Sequence, residues 1–205
     1  YEDILGTYLV KLSSQTLTAA DSENATELLK AIGDFERIAD HAVNIVESAE
    51  ELQNKGLTLS EAAQADLKVL EAAVEEILDR SADAFRRGDA QAAAAVEPLE
   101  QVVDLLKEQL RTRHILRMRE GKCSIEAGFV WADLLTDLER TSDHCSNIAV
   151  AMIEVAADKF DTHEYLASVK HGGSVKFERR YEKYRGRYTF PPEAYSEPAE
   201  NPAEN

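Results

Sequence analysis

Apolar residues recur with helical spacing from the beginning of the sequence. In the first stretch they are Ile4, Leu5, Tyr8, Leu9 and Leu12. This spacing places them on one face and predicts a short amphipathic helix, already under way at Tyr1. The polar stretch 13–24 interrupts the pattern. Asp21 or Ser22 is suited to cap the next helix, which we predict over about 24–54.

A third and a fourth helix follow from the same spacing. Gly56 ends the long helix, and Ser60 opens the third, which stops near Gly88. The fourth is predicted over about 90–121. Pro98 lies inside it and should kink or restart it, because a prolyl nitrogen cannot donate a hydrogen bond to the helix backbone.

A fifth helix is predicted over about 124–158. No stretch alternates apolar and polar residues for long enough to form a strand, so the sequence predicts an all-α fold, a bundle of long antiparallel helices joined by short loops. The longest apolar runs, such as 92–96, are far shorter than the roughly 20 residues that cross a bilayer. We therefore expect no membrane-spanning helix.

The charge balance excludes one class of partner. The chain has 205 residues, and 23 Lys and Arg against 39 Asp and Glu give a net charge of −16. A surface this acidic repels phosphate backbones, so we expect no nucleic acid partner. Hydrophobic residues make up 44% of the chain, which is enough for a folded core.

The most informative feature is a repeated acidic segment. Residues 34–45, DFERIADHAVNI, return 103 residues later as 137–148, DLERTSDHCSNI. Seven of these twelve positions are identical, and six of the seven are polar. Helix formation alone does not require the same polar residues in one order, so the repeat indicates a function. We call the two segments the first and the second cassette.

The spacing within each cassette is suited to holding a cation. Glu36, Asp40 and Asn44 stand four residues apart, so they share one stripe of a helix in steps of about 6 Å. The equivalent residues of the second cassette are Glu139, Asp143 and Asn147. Bare oxygen ligands on one stripe repel each other, which implies a positive charge on that face.

Two sources of positive charge remain open. Arg37 and Arg140 lie within the cassettes and are suited to be structural salt-bridge partners. The other source is a metal ion held against a facing helix, and hard oxygen ligands suit Mg, Ca, Mn or iron. In the fourth helix Glu100 and Asp104 repeat the four-residue spacing and are the natural further ligands, although a solvated helix face is an equal explanation for that pair alone.

Nothing in the sequence specifies a reaction. The GxSxG, HExxH and P-loop motifs are absent. Ferritin-like bundles use Glu-x-x-His, whereas Ala39 and Ser142 stand three residues after the cassette glutamates. His41 and His144 point about 100° away from the preceding acid, so we expect them to pack between helices. We predict no enzyme, and the alternative is a metal-dependent hydrolase of phosphate compounds, since clustered carboxylates with bound ions can activate water.

The motif Glu-Arg-x-x-Asp-His-x-x-Asn, present twice on long helices, resembles the PhoU family of phosphate-uptake and phosphate-signalling regulators. Through the segment 110–123 the chain looks most like the version fused behind sodium/phosphate cotransporter membrane domains. The resemblance implies two three-helix bundle repeats, a partial first repeat over 1–56 and a second over 57–158. Because only five helices are legible, we expect the first helix of the first repeat to precede Tyr1.

The resemblance also implies multinuclear metal clusters of iron, zinc or nickel, bound through paired carboxylates. Its ligand residues, carried onto this sequence, are Glu139, Asp143, Glu100 and Asp104 for the second cluster and Glu36 and Asp40 for the first, with Asn44 and Asn147 completing the motif. The first repeat lacks a counterpart of the Glu100 and Asp104 pair, because Gly6 stands four residues after Glu2. We therefore expect the first site to be incomplete.

The partners implied by the resemblance are a phosphate transporter membrane domain, fused upstream of Tyr1, or phosphate-signalling proteins. This places the chain in the cytoplasm, at the inner face of the cell membrane. The sequence leaves open whether the domain forms a homodimer.

The sign of the charge reverses near the end of the chain. Residues 168–188 contain seven Lys or Arg against two Glu. The extension 159–190 also carries an aromatic stripe at Phe177, Tyr181, Tyr184 and Tyr188. Two alternatives follow: the basic helix folds back on the acidic bundle, or it contacts an anionic membrane surface or another chain. Residues 191–205 lack a core-forming pattern and are predicted to be disordered.

Overall fold

The computed structural model describes residues 1–157 and 175–192. Within these ranges every regular element is a helix: α1 (Glu2–Ser13), α2 (Ala19–Asn54), α3 (Glu61–Arg87), α4 (Ala90–Ala93), α5 (Glu97–Arg119), α6 (Ile125–Ala157) and α7 (Val175–Arg187). The all-α prediction is confirmed. In the described part of the chain, no helix has an apolar stretch long enough to cross a membrane.

The longest helix begins earlier than predicted. α2 starts at Ala19, and its N-cap is Thr18, whose hydroxyl accepts a hydrogen bond from the backbone nitrogen of Asp21 at 3.2 Å. The prediction of Asp21 or Ser22 as the cap was wrong. Both side chains are exposed, so these polar residues fit the solvent side of a helix and do not have to interrupt it.

Pro98 restarts its helix, as predicted. The short α4 is capped by Asp89, whose carboxylate accepts from the backbone nitrogen of Ala92 at 2.9 Å. α5 then begins at Glu97 with Pro98 in its first turn, where the missing N–H has no helical partner to lose. Gly88 ends α3 with φ of 60°, a left-handed conformation that glycine adopts without steric strain.

The helices α3, α5 and α6 pack as a three-helix bundle around one continuous core. Its largest fully buried side chains include Trp131, Leu70, Ile77, Leu99, Leu106 and Leu110. A buried ion pair network also ties α3 to α5, because Asp66 accepts from Arg113 at 2.8 Å and from Arg117 at 2.7 Å. The guanidinium of Arg117 lies 5.7 Å from the ring centre of Trp131.

The helices of the first repeat form a thinner structure. α2 packs along α6, and α1 packs on α2. The buried apolar side chains of these two helices are Leu9, Ala25 and Ala31. Ala31 belongs to the core that α3, α5 and α6 enclose, whereas Leu9 and Ala25 lie outside that cluster.

Helix α7 folds back onto the bundle, which is the first of the two alternatives. It packs on α5 and buries Phe177 and Tyr184. Arg187 lies 2.6 Å from Glu76 on α3, and the Tyr188 hydroxyl donates to the same carboxylate. The aromatic side chains that a membrane contact needs are thus engaged with protein. The remaining parts of the predicted extension and tail, 159–174 and 193–205, lie outside the described residues.

Candidate metal centre

The second cassette lies in the middle of α6, where it faces α5. Here one carboxylate oxygen from each of Glu100, Asp104 and Asp143 comes within 4.8 Å of the others. The four-residue spacing on α5 directs Glu100 and Asp104 to the same side, and the antiparallel α6 presents Asp143 to both. The structure thereby brings together three of the residues that the sequence predicted as ligands. We call these residues and Glu139 the carboxylate cluster.

Glu139 lies at the edge of the cluster beside a lysine. Its Oε1 atom is 2.9 Å from Nζ of Lys107. Arg140 pairs with Asp143, with Nη1 2.9 Å from Oδ2, which confirms the expected salt-bridge role of Arg140. The four carboxylates of the cluster thus face two cationic side chains, Lys107 and Arg140. If all six groups are ionised, the net charge is −2, which one divalent cation would neutralise.

Burial and mutual repulsion disfavour the charged form of these acids. Burial first, and then the charge of Asp104, raises the pKa of Glu100 to about 8. Burial, and then the charges of Glu139 and Asp143, raises the pKa of Asp104 to about 6. The pKa of Asp143 is raised as well, chiefly by burial. A bound cation would favour the ionised forms and displace their protons.

Two buried oxygen atoms of the cluster have no hydrogen-bond partner within the described residues, Oδ1 of Asp104 and Oε2 of Glu139. The second of these lies 3.8 Å from Nε of Arg140, which is beyond hydrogen-bond distance. A buried acceptor left without a partner is destabilising. Because a metal ion would coordinate such oxygens, the residues of the cluster fit a metal centre built from hard ligands.

The first cassette lies in a more open environment on α2. Arg37 and Asp40 are 3.7 Å apart and both more than half exposed, which confirms the structural pairing expected for Arg37. Glu36 is exposed, and a hydrogen bond with the Glu2 carboxyl is the main cause that raises its pKa. Among the described residues, acidic side chains of this cassette do not assemble into a group of three. The sequence analysis excluded Glu2 from an acidic pair because Gly6 stands four residues later, yet Glu2 on α1 contacts Glu36.

The histidine and asparagine of the first cassette join α2 to α6. Nδ1 of His41 lies 2.7 Å from Oδ1 of Asp137, and the Asn44 amide donates to the same oxygen at 3.0 Å. Asp137 therefore accepts both contacts with one carboxylate oxygen. This acceptor was not predicted, although it is one of the identical positions of the two cassettes.

The second cassette makes the same contacts in the opposite direction. Nδ1 of His144 lies 2.8 Å from Oδ1 of Asp34, and the Asn147 amide donates to that oxygen at 3.1 Å. The imidazole rings of His41 and His144 stack between the two pairs, with ring centres 5.5 Å apart. The expected packing of both histidines between helices is confirmed.

These contacts give the repeated asparagines a role other than metal ligation. Both amides donate across the interface between α2 and α6, and neither contact involves a carboxylate of the cluster. Metal ligation by Asn44 and Asn147 stays a prediction. The cassettes thus serve two purposes on different faces. Their His and Asn residues, with Asp34 and Asp137, join α2 to α6, whereas Asp143 faces α5 and Glu36 faces α1.

Fold and site together define a class of protein, an all-helical protein of two related repeats with a carboxylate cluster between helices. The PhoU domain model matches residues 1–49 and 67–152. The chain therefore belongs to the PhoU family. The closer likeness to the version fused to sodium/phosphate cotransporters stays a prediction.

Relatives with curated names support this assignment. The phosphate-specific transport system accessory protein PhoU homolog 1 of Thermotoga maritima is 28% identical over 145 residues, which cover 71% of this chain and 61% of that protein. The PhoU homolog of Pseudomonas aeruginosa is 26% identical over 177 residues, 85% of this chain and 68% of that protein. The chain thus spans less than two thirds of the length of the Thermotoga relative.

A solved structure shows the same fold. The crystal structure of PhoU from Pseudomonas aeruginosa superimposes with a TM-score of 0.65 at 24% sequence identity. The match covers 77% of this chain and 78% of that structure.

Proposed function

We propose that this chain is a non-enzymatic, metal-binding regulatory domain that controls phosphate uptake or phosphate signalling by contact with a phosphate transporter. The names of the relatives, accessory proteins of phosphate-specific transport systems, support the link to transport. The transporter that we propose is the membrane domain of a sodium/phosphate cotransporter, with this domain at the cytoplasmic face of the membrane.

The observation that carries the metal-binding part of the proposal is the carboxylate cluster between α5 and α6. Its excess of negative charge and its two buried oxygens without hydrogen bonds are destabilising, and a bound cation would relieve both. The raised pKa values have the same physical cause, burial and mutual repulsion of the acids. Glu100, Asp104, Glu139 and Asp143 would hold the ion, which supplies positive charge between the two helices. Its binding would join α5 to α6 and stiffen the surface offered to the transporter.

The hydrolase alternative gains no support from the relatives, since their names describe accessory proteins. Within the cluster, Glu139 is paired with Lys107 and Asp143 with Arg140. Each of these two carboxylates therefore already has a cationic neighbour, Lys107 on α5 or Arg140 on α6.

Metal analysis of matched variants tests the proposal. We expect wild-type protein, stripped with a chelator and reloaded with iron, zinc, nickel or manganese, to retain bound metal and to melt at a higher temperature when loaded. Glu139→Ala/Asp143→Ala should lose both effects. The control is Glu71→Ala/Glu75→Ala, an exposed pair with the same spacing on α3, which should behave as wild type. Equal metal content in all three proteins would contradict the proposal.

The regulatory part needs a separate measurement. Phosphate uptake is compared between cells that carry wild type and cells that carry Glu139→Ala/Asp143→Ala at equal protein level. We expect the variant to lose control of uptake when external phosphate is changed. Unaltered control in a variant shown to bind no metal would separate metal binding from regulation and contradict the proposed link.

A further inference from the structure

Helix α7 carries an excess of positive charge on a chain whose net charge is −16. Its 13 residues contain six Lys or Arg against two Glu. The helix lies outside the segments that the PhoU domain model matches, which end at residue 152. Its charge is therefore a feature of this chain that membership of the family does not explain.

Three of the six cations of α7 are engaged with protein. Nη1 of Arg180 donates to a backbone carbonyl of the bundle at 2.9 Å, and Arg187 lies 2.6 Å from Glu76 on α3. Nη1 of Arg185 lies 3.4 Å from Oε1 of Glu182 within α7 itself. The first two contacts hold the helix in one orientation on the bundle.

The other three cations lie on the outer side of α7. They are Lys176, Arg179 and Lys183, and we call them the α7 stripe. Their spacing of three and four residues places them on one side of the helix over about 10 Å. All three are exposed, and no acid among the described residues pairs with them.

The aromatic residues of α7 face the bundle instead. Phe177 and Tyr184 are buried, and Tyr181 and Tyr188 pack against the core. Protein interfaces depend on aromatic and apolar anchors that lose their water, and the outer side of α7 presents none of these rings. An anionic lipid surface requires no such anchor, because it attracts Lys and Arg that stay hydrated.

We propose that the α7 stripe is a docking surface for a membrane that contains anionic phospholipids. The inference rests on the proposed function only in placing a membrane beside the domain. A flat surface that touches α7 stays about one helix diameter, roughly 10 Å, from the bundle behind it. Since the Debye length is about 8–10 Å at physiological salt, screening reduces the repulsion between the lipid and the acids of the bundle.

The stripe is suited to orient the domain rather than to anchor it. Each Lys or Arg close to an anionic surface strengthens binding roughly five-fold, so three together give a gain on the order of 100-fold. A domain that is already held near the membrane needs no more, because its effective concentration at the lipid is high. Docking turns α7 and the underlying α5 toward the lipid.

Vesicle sedimentation of the full chain tests the proposal. With chelator present, we expect wild type to sediment with vesicles that contain about 30% phosphatidylglycerol in roughly 20 mM salt, and to be released in about 300 mM salt. Vesicles of phosphatidylcholine alone should not bind it. Lys176→Ala/Arg179→Ala/Lys183→Ala should bind about 100-fold more weakly than wild type.

A matched variant controls for net charge. Lys11→Ala/Lys55→Ala/Arg86→Ala also removes three exposed cations, but from α1, α2 and α3. It should bind the anionic vesicles as wild type does. Circular dichroism checks that both triple variants are folded, which we expect because alanine favours helices.

Three outcomes would overturn the proposal. Wild type that stays in solution with anionic vesicles at low salt would exclude the lipid, and retention on immobilised polyglutamate would then assign the stripe to an acidic protein. Equal binding by the two triple variants would place the contact elsewhere. Equal binding to neutral vesicles would make it apolar. No transporter or metal is present, so these outcomes are separate from those that test the proposed function.

Energy transfer to headgroup-labelled lipid tests the orientation. In a Cys123→Ser background, a donor dye is attached at Gly186→Cys, where a Cβ meets no atom within 4 Å. The comparison is the same dye at Ala39→Cys, an exposed position on α2; Cys145 is buried and should not be labelled. We expect stronger transfer from position 186 on anionic vesicles. Equal transfer from both positions would overturn docking through α7.

Discussion

The two cassettes share six identical polar residues but lie in different environments. In the second repeat, α3, α5 and α6 enclose a core, and the acids of the cassette meet Glu100 and Asp104 at the boundary of that core. In the first repeat, α1 is the helix that the described residues place on the corresponding side of α2, and the Asp40 side chain is 56% exposed. The pKa of Glu100 reaches about 8, whereas Glu36 and Asp40 of the first cassette are exposed.

The comparison shows that the motif supplies carboxylates and that the surrounding helices decide their charge state. A carboxylate on an open helix face is hydrated and needs no cation. The same carboxylate beside other buried acids is disfavoured as an anion, because water has been removed from it. Substitutions at equivalent positions of the two repeats can separate these contributions.

The largest difference between the two repeats is expected in the free energy of unfolding that is lost when a core side chain is truncated. Leu138→Ala removes a side chain that is 6% exposed, so we expect a loss of about 3 kcal/mol in the free energy of unfolding. The equivalent Phe35→Ala, at a residue 37% exposed, should cost about 1–2 kcal/mol. Urea unfolding of each variant beside wild type measures both losses. Equal losses would show that the first repeat has a closed core after all.

A smaller effect should follow from the pKa of Glu100. Since this pKa is raised from 4.5 to about 8, the folded metal-free protein binds more protons than the unfolded chain between these pH values, and stability falls as the pH rises through the window. We expect Glu100→Gln to be more stable than wild type by on the order of 1–2 kcal/mol above pH 8, with little gain near pH 4.5.

Chelator-treated protein, unfolded in urea at several pH values, provides the measurement for Glu100→Gln. The matched control is Glu75→Gln on the exposed side of α3, for which the gain should be absent at every pH. A gain of equal size at low and high pH would disagree with the titration of Glu100 as its cause.

The histidines should behave alike, in contrast to the acids. His41→Ala and His144→Ala each remove one contact to an aspartate across the interface of α2 and α6, so we expect each to cost about 1 kcal/mol. The double variant should lose less than the sum, because the two rings also stack on each other. Thermal unfolding of the set provides the comparison, and a strong inequality between the single variants would argue against equivalent roles.

The smallest effects are expected at the helix starts. Thr18→Ala and Ser60→Ala each remove a side chain that accepts from the backbone three residues later, and each should cost about 0.5–1 kcal/mol. Hydrogen exchange should locate the difference. We expect faster exchange confined to the beginning of α2 for Thr18→Ala, and a loss shared by the bundle core for Ser60→Ala. A global effect of Thr18→Ala would contradict the looser packing of the first repeat.

Much of the fold was predictable because apolar spacing and helix-breaking residues are local signals. Pro98 and Gly88 marked helix boundaries correctly. The start of α2 was not predicted, since the polar residues after Thr18 read as a loop when the side that faces solvent is unknown. The folding back of α7 depended on long-range contacts such as Arg187 with Glu76, which periodicity cannot distinguish from an unpartnered amphipathic helix.

The candidate site was predictable in part for a related reason. Repetition identified Glu139 and Asp143, and the four-residue spacing identified Glu100 and Asp104. Lys107 has no such signal, because a single lysine on a helix is common and its contact with Glu139 depends on how α5 and α6 pack. The contact of Glu2 with Glu36 was not predicted, because we looked for acids four residues apart on one helix. This contact instead joins two helices, α1 and α2.

Lys107 affects how stable the domain would be without a bound ion. Its ammonium group lies 2.9 Å from Glu139 and is largely shielded from solvent, so it offers part of the compensation that a cation would provide. If the cluster binds an ion as we propose, loss of that ion would leave the bundle folded. The metal-free domain would stay folded when little metal is available, and it could bind an ion again without refolding.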